Sequence, residues 1–302
     1  MINVLLTGGT GFLGRQLSNA LSSNDCEVIE LTSGIERRRI DISNPFDFEL
    51  SQPLHTIIHA AGKAHSVPKT ESERNAFYNV NYHGTRNLCK AIERLSVLPK
   101  SFIFISTAAV YGIDEGNLID EEYPLNGKTP YAKSKILAEG WLQEWSSRNQ
   151  ITLGILRLPL IAGPNPPGNL GAMIKGIRQG RYLSIGKANA RKSIVWVEDV
   201  AKVIPVLAKK GGVYNLTDGH HPTFGELEAA IATALRKKKP YKIPYWFANG
   251  LAKAGDMIGD RFPINSDKLK KITSTLTLND RKAREVLGWN PSPLLSKIDL
   301  LV

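Results

Sequence analysis

The sequence predicts an α/β fold, a doubly wound parallel sheet with a smaller C-terminal domain closing over it. Short β-rich runs alternate with helix-period segments through the first half of the chain, the pattern of a parallel sheet with helices on both faces. The runs His55-Thr56-Ile57-Ile58-His59 and Phe102-Ile103-Phe104-Ile105 are almost continuously apolar, as central strands covered on both sides must be.

Taken in order, strands are expected at residues 2–6, 26–31, 38–40, 55–59, 101–105 and 151–157. Amphipathic helices are expected at about 12–23, 70–97 and 129–148. The alternation breaks at residues 157–168, where four prolines and two glycines in twelve residues demand a loop. Beyond it the elements are shorter and less regular. The expected division is a first domain of residues 1–158 plus about 193–217, and a second of 159–192 and 218–302.

At 302 residues the chain can bury a sizeable core. Its 42% hydrophobic and 22% charged residues are those of an ordinary globular protein. No apolar run approaches the roughly 18–20 residues of a membrane helix. The opening Met1–Leu6 is too short, and lacks the basic flank, for a signal peptide. Cys26 and Cys89 fit reduced thiols better than a disulfide framework, though one bridge stays open, and the expected location is cytoplasmic. The formal charge is +11, but the basic residues are spread out. The two tight runs, Arg37–Arg39 and Arg236–Lys239, read as solvated faces without the interleaved aromatics of a single-strand binding platform. Neither nucleic acid nor membrane is expected as a partner, and no metal is expected.

Strand 2–6 runs directly into Thr7-Gly8-Gly9-Thr10-Gly11-Phe12-Leu13-Gly14. Gly9, Gly11 and Gly14 satisfy G-x-G-x-x-G, and Gly8, Gly11 and Gly14 give G-x-x-G-x-x-G. At a first strand-to-helix junction this is the Rossmann dinucleotide turn: glycine allows the tight turn and the close approach of backbone to a pyrophosphate. Phe12 and Leu13 open the helix whose free N–H groups and positive dipole end meet the phosphates. The first domain is therefore expected to hold NAD or NADP, and the second the substrate. After strand 26–31 stand Thr32 and Ser33, where NAD enzymes usually carry an acid. Either Arg37 or a neighbour pairs with the 2′-phosphate of NADP, or Arg37–Arg39 only flank a third strand. Asp41 and Ile42 would meet the adenine.

Tyr131 and Lys135 lie four residues apart on one face of the helix opened by Thr129-Pro130. A phenol near pKa 10 is too weak a base at neutral pH, and a neighbouring ammonium would lower it. Strand 101–105 ends in Ser106-Thr107, two hydroxyls at the sheet edge where ligands of open α/β proteins bind. His59-Ala60-Ala61-Gly62 ends the preceding strand with small residues that leave room for a cofactor. His59 itself is read as a satisfied structural histidine.

Together with Asn81-Tyr82-His83-Gly84-Thr85, Ser106–Gly112, Pro130–Lys135, Arg157 and the late Leu287-Gly288-Trp289-Asn290-Pro291, these residues resemble a known family. It is that of the extended short-chain dehydrogenase/reductases acting on nucleotide sugars, of the UDP-galactose 4-epimerase type. The resemblance implies Tyr131 as catalytic acid/base with Lys135 as helper and Thr107 on the sugar O4. It implies a cofactor site of Gly8, Gly11, Phe12, Leu13, Asp41, Ile42, Ala60, Ala61, Gly62, Asn81 and Ser106. It places Asn169 and Leu170 on the nucleotide diphosphate and base, with Arg191 or Lys192 as its clamp, and a homodimer built from helices 70–97 and 129–148. Sugar 4,6-dehydratases carry Asp-Glu after the strand-end threonine, whereas here stand Ala108 and Ala109, so dehydration is rejected. Leu160 and Ala162 depart from the family's Asn and Tyr, and the segments 189–193 and 267–272 look closer to bacterial 4-keto-sugar reductases. The expected function is hydride exchange at C4 of a UDP-hexose or UDP-N-acetyl-hexosamine derivative, by a 4-epimerase or a 4-ketoreductase. The alternative is a non-catalytic NAD(P)-binding relative that senses redox state or binds RNA.

Overall fold

The computed structural model describes residues 2–22, 26–31, 40–50, 52–64, 66–258 and 264–302. The elements run β1 Ile2–Thr7, α1 Phe12–Ser22, β2 Cys26–Leu31, β3 Thr56–His59, α2 Glu71–Tyr78, α3 Gly84–Ile92, β4 Ser101–Thr107, β5 Gly116–Ile119, α4 Pro130–Arg148 and β6 Thr152–Leu158. They continue with β7 Leu160–Ala162, α5 Gly168–Arg178, β8 Leu183–Ile185, β9 Ile194–Trp196, α6 Val197–Lys210, β10 Gly212–Asn215 and α7 Phe224–Ala234. The last are β11 Tyr241–Ile243, α8 Tyr245–Ile258, α9 Ser266–Thr273, β12 Leu276–Leu278, α10 Arg281–Leu287 and α11 Ile298–Leu301.

Six strands form the main sheet in the order β10-β6-β4-β3-β1-β2, and every neighbouring pair is parallel. The chain goes outward from β1 to β2, then returns to β3 and builds the other way. That reversal opens a crevice at the carboxyl ends of β1 and β3, the place where open α/β sheets bind ligands. The doubly wound sheet is the one expected from the βα alternation.

Alternation along the central strands feeds two cores. Leu6, Ile58, Ile103 and Leu156 pack with Leu17 of α1 and Val200 and Leu207 of α6. Their neighbours Leu5, Ile57, Phe102 and Ile155 turn to the opposite face, against Leu88 of α3 and Leu142 and Trp145 of α4. Each such side chain contributes about 1.5–3 kcal/mol by leaving water. A third cluster joins Leu170, Met173 and Ile174 of α5 to Leu227 and Ile231 of α7 and Trp196.

Three local expectations change. The helix expected at 70–97 ends at Ile92 and is interrupted by one π-helical turn, Asn79–His83. Past Ile92 the amides of Arg94 and Leu95 donate back only three residues, to Ala91 and Ile92, so the chain tightens into turns. The stretch 157–168 is only partly a loop. Arg157 and Leu158 still belong to β6, and beyond Pro159 the short β7 pairs in parallel with β9. Of the strand expected at 38–40, residues 38 and 39 lie outside the described residues, and Ile40 belongs to no strand. Cys26 and Cys89 are separate thiols rather than a bridge.

A Cβ on Gly14 would lie 2.0 Å from the Gly8 carbonyl oxygen, so α1 can leave β1 at this angle only without one. In the exposed middle of α4, a Cβ on Gly140 would meet nothing within 4 Å. Gly14→Ala is expected to lower stability to urea by about 1–3 kcal/mol or more. Gly140→Ala is expected to raise it by roughly 0.5–1 kcal/mol.

Candidate active site

The glycine turn and the end of β3 form one wall of the crevice. Gly8 has φ +76°, and a Cβ there would fall 2.6 Å from the Ala61 amide nitrogen. Ala60 N–H donates to the Thr7 carbonyl and Ala61 N–H to the Thr7 hydroxyl. A Cβ on Gly11 would meet only the Gly8 oxygen, at 3.2 Å. The first turn of α1 carries Phe12 and Leu13; the Leu13 side chain is buried in the core, which leaves its backbone N–H as its contribution. This bare backbone cradle at a helix N-terminus suits a pyrophosphate. Ile42 packs against Gly84, and the Asp41 carboxylate accepts from Ser43 N–H, the Ser43 hydroxyl and Asn44. Those bonds, the Ser43 hydroxyl first, hold the Asp41 carboxyl below its usual range. Thr32, Ser33 and Arg37–Arg39 lie outside the described residues.

A directed chain of hydrogen bonds braces this wall. Thr85 Oγ1 donates to the Asn81 carbonyl at 2.6 Å, so it accepts from His59 Nε2 at 2.9 Å. His59 Nδ1 then accepts from Thr7 Oγ1 at 2.6 Å. Both ring nitrogens are satisfied, and burial, with the Lys135 charge, holds His59 down to about 3, neutral at any working pH. Asn81 sits in the π-helical turn. Its side chain accepts from Lys63 N–H at 2.7 Å and donates to the Lys63 carbonyl and to Ser134 Oγ. It thus ties the Ala60–Lys63 segment to α4.

The opposite wall is the end of β4 facing the first turns of α4. Tyr131, Lys135 and Glu139 share one face of α4 and meet three successive residues of β4. The Thr107 hydroxyl bonds the Tyr131 phenol and lowers its pKa, but burial is the larger influence and leaves it above its ordinary value. Lys135 Nζ donates to the Ile105 carbonyl at 2.7 Å and lies 4.4 Å from the Phe104 ring centre. Burial brings its pKa down to about 8, with Glu139 opposing the fall. The expected lowering of the phenol by this lysine is not what sets its value, because Nζ is directed at the strand carbonyl. Ser106 donates to Glu139, which is buried and accepts from Arg157 through Nη2 at 2.8 Å and Nε at 3.2 Å. Arg157 also reaches the Glu121 carbonyl and the Tyr111 hydroxyl. A Cβ on Gly62 would lie 3.4 Å from Lys135 Nζ, so the two walls meet there.

The residues expected on the diphosphate form a separate group. Asn169 is exposed and Leu170 buried in the first turn of α5, where Leu170 packs in the third cluster. Arg191 donates to the His221 carbonyl at 2.9 Å and faces Glu226 at 3.7 Å. Lys192 is half-buried, brought down to about 8 by burial, with Asp114 and Glu115 opposing. Asp114 lies just past the 3₁₀ turn Ala108–Tyr111 that follows Thr107, so its charge acts on Lys192 from the segment that leaves the catalytic wall.

A sequence model described as the NAD dependent epimerase/dehydratase family matches residues 4–217. The chain belongs to that family. Its cofactor is accordingly the nicotinamide dinucleotide expected from the glycine turn, and as a family member it is an enzyme. Among curated relatives, it is 29% identical over 300 residues to N-acetyl-α-D-glucosaminyl-diphospho-ditrans,octacis-undecaprenol 4-epimerase of Escherichia coli O157:H7, covering 93% of this chain and 88% of that one. It is 28% identical over 320 residues to UDP-glucose 4-epimerase of Vibrio cholerae, covering 98% and 92%. Among solved structures, UDP-glucuronic acid 4-epimerase from Bacillus cereus, in complex with UDP-glucuronic acid and NAD, superposes with a TM-score of 0.80 at 17% identity, covering 99% and 98%. That likeness establishes the shared Rossmann fold.

Two acids escaped the sequence reading. Glu139 stands one turn beyond Lys135, and extending the Tyr131/Lys135 face by four residues would have found it. Glu30 lies against Gly9, whose Cβ would fall 2.8 Å from its carboxylate, and it accepts from Ser18 of α1. Glu30 stands within β2, one residue before its end, and not after the strand.

The folded-state pKa of His59 lies below its unfolded value near 6.5, so below that pH the unfolded chain binds the extra proton. Stability is therefore expected to fall as pH drops from about 6.5 toward 3, by up to about 1.4 kcal/mol per unit from this group. Urea unfolding at pH 6.5 and 5.5 checks it, and the His59→Asn variant should lose about 1 kcal/mol less over that interval.

Proposed function

We propose that this enzyme epimerises C4 of a hexose or N-acetylhexosamine carried on a diphosphate, with Tyr131 as the acid/base. The observation that supports it is the shared α4 face, on which Tyr131 meets the strand-end Thr107 while Lys135 lies beside Gly62. A nicotinamide held in the crevice would supply the hydride acceptor and donor for C4, so that oxidation and re-reduction leave no net redox change. Tyr131 accepts the O4 proton during oxidation and gives it back on reduction; Thr107 orients O4. Lys135 would hold the ribose hydroxyls, and turned from the Ile105 carbonyl toward them its ammonium would favour the phenolate, which burial alone disfavours. Residues 1–158 with 193–217 carry the dinucleotide in this reading. Residues 159–192 and 218–302 carry the substrate, with Asn169, Leu170, Arg191 and Lys192 toward its diphosphate. The working unit is a cytoplasmic homodimer through α2, α3 and α4. The named relatives support sugar carriers of two kinds, a nucleoside and a polyprenol, which share the sugar diphosphate.

The reading is tested by incubating the enzyme with UDP-N-acetylglucosamine and, separately, with its polyprenyl-diphosphate counterpart, and following the C4 epimer by NMR. Tyr131→Phe should lower turnover about 10²–10⁴-fold and leave NAD binding unchanged. Undiminished turnover would remove Tyr131 from the chemistry.

Glu30 further favours NAD over NADP, because its carboxylate at Gly9 would repel a 2′-phosphate on the neighbouring ribose. Glu30→Ala is expected to shift the ratio of NADPH to NADH binding toward NADPH by about tenfold, roughly 1.4 kcal/mol. An unchanged ratio in titrations of the two nucleotides would refute that role.

A further inference from the structure

Helix α8 carries its apolar residues on the outside. Ala248, Ala252 and Gly255 face inward, and the two alanines pack with Ile185 and Leu269. At helical spacing on the opposite side stand Trp246, Gly250, Lys253 and Met257, with Phe247 and Ile258 beside them. Trp246 is 73% exposed and Met257 90%, and just before the helix Tyr241 is 79% exposed. A tryptophan and a methionine held this far into water mark a surface that meets something.

The charge around this face says what. From Ala229 to Gly255 the chain has six basic residues and no Asp or Glu: Arg236, Lys237, Lys238, Lys239, Lys242 and Lys253. All six are exposed. No helix among the described residues is long and apolar enough to cross a membrane. α8 carries one acid, Asp256, whose carboxylate accepts from Ser266 N–H and hydroxyl at the end of the helix. Aromatics with a polar edge beside six cations and this one bonded acid match the boundary of an anionic bilayer, where rings enter the headgroup layer and cations meet lipid phosphates. We propose that α8 and the basic run before it dock the enzyme on the surface of an anionic phospholipid bilayer. The run Arg236–Lys239, read from sequence as a solvated face, is followed within eleven residues by the exposed aromatics Tyr241, Trp246 and Phe247, and the proposal departs from the expectation of no membrane partner.

Docking has a purpose if the sugar-diphosphate reading above holds for a lipid-linked substrate. A cavity of about 350 Å³ lies between the segment Gly186–Ala190 and Tyr245 at the start of α8, with Ile185, Phe224 and Ile272 as apolar wall. Ala190 leads directly to Arg191 and Lys192, the cations expected on the diphosphate. Lys187, Asn189, Glu228 and Thr273 complete the lining. Its apolar side, joining a bilayer-facing helix to the proposed clamp, offers a path for the first part of an apolar tail on the diphosphate.

The test uses the full chain with sedimenting vesicles of phosphatidylcholine alone or with phosphatidylglycerol added. Binding is expected to the mixed vesicles and to weaken with salt, with Trp246 fluorescence quenched by brominated lipid. Trp246→Ser/Phe247→Ser and Lys237→Glu/Lys238→Glu should each lower the bound fraction at least about tenfold and leave turnover of soluble UDP-sugar unchanged. No preference for anionic vesicles, or equal binding by the variants, overturns the proposal. So does a face that proves in sedimentation velocity to join two copies, or that binds RNA and no vesicles. Vesicle binding needs no sugar substrate, so a failure of C4 turnover with binding intact refutes only the catalytic reading.

Discussion

The buried pair of Glu139 and Arg157 is the constraint on which the site depends. Two ions almost without solvent survive only if their remaining hydrogen-bonding positions are filled, and breaking such a pair typically costs about 3–5 kcal/mol. Here Ser106 fills one carboxylate position, and the Glu121 carbonyl and Tyr111 hydroxyl take up the rest of the guanidinium. Tyr111 in turn donates to Asn215 at 2.8 Å, so strands β4, β6 and β10 and helix α4 are joined beneath the crevice. With α4 pinned at Glu139, the two turns before it have one rotation available, and that rotation puts Lys135 on the Ile105 carbonyl and Tyr131 at Thr107.

The same carboxylate tempers the electrostatics. Lys135 is buried deeply enough for its ammonium to be costly, and Glu139 one turn away restores part of the preference for charge. Across the crevice the protein takes the opposite course with His59, which is kept neutral and used only to join Thr7 and Thr85. One wall thus holds a buried cation beside a phenol, while the other is backbone braced by a neutral histidine. Bare amides at a helix N-terminus suit the phosphates of a dinucleotide.

Family membership and the glycine cradle agree on a dinucleotide enzyme of sugar chemistry, and the outer group of residues stands apart from both walls. Arg191 is already turned toward His221 and Glu226, whereas Lys192 keeps a depressed pKa among acids and another lysine. The aromatic helix α8 lies on this same side of the molecule, through the cavity wall shared by Tyr245 and Ala190.

The sequence by itself determined the sheet, the glycine turn and the Tyr131/Lys135 pair. Period-2 and period-3.6 apolar patterns and glycine spacing are local properties, and each follows from the chain alone. The break at Pro159 was legible too, but not the pairing of β7 with β9, which joins residues more than thirty apart. Nor could the sequence tell that Glu30 lies against Gly9, that Glu139 and Arg157 share a buried site, or that Trp246 and Met257 stay outside. An acid becomes a ligand reader, a counter-ion or a solvated charge according to what packs around it. That is decided only when distant segments meet, because burial and partner, not residue type, set its energy.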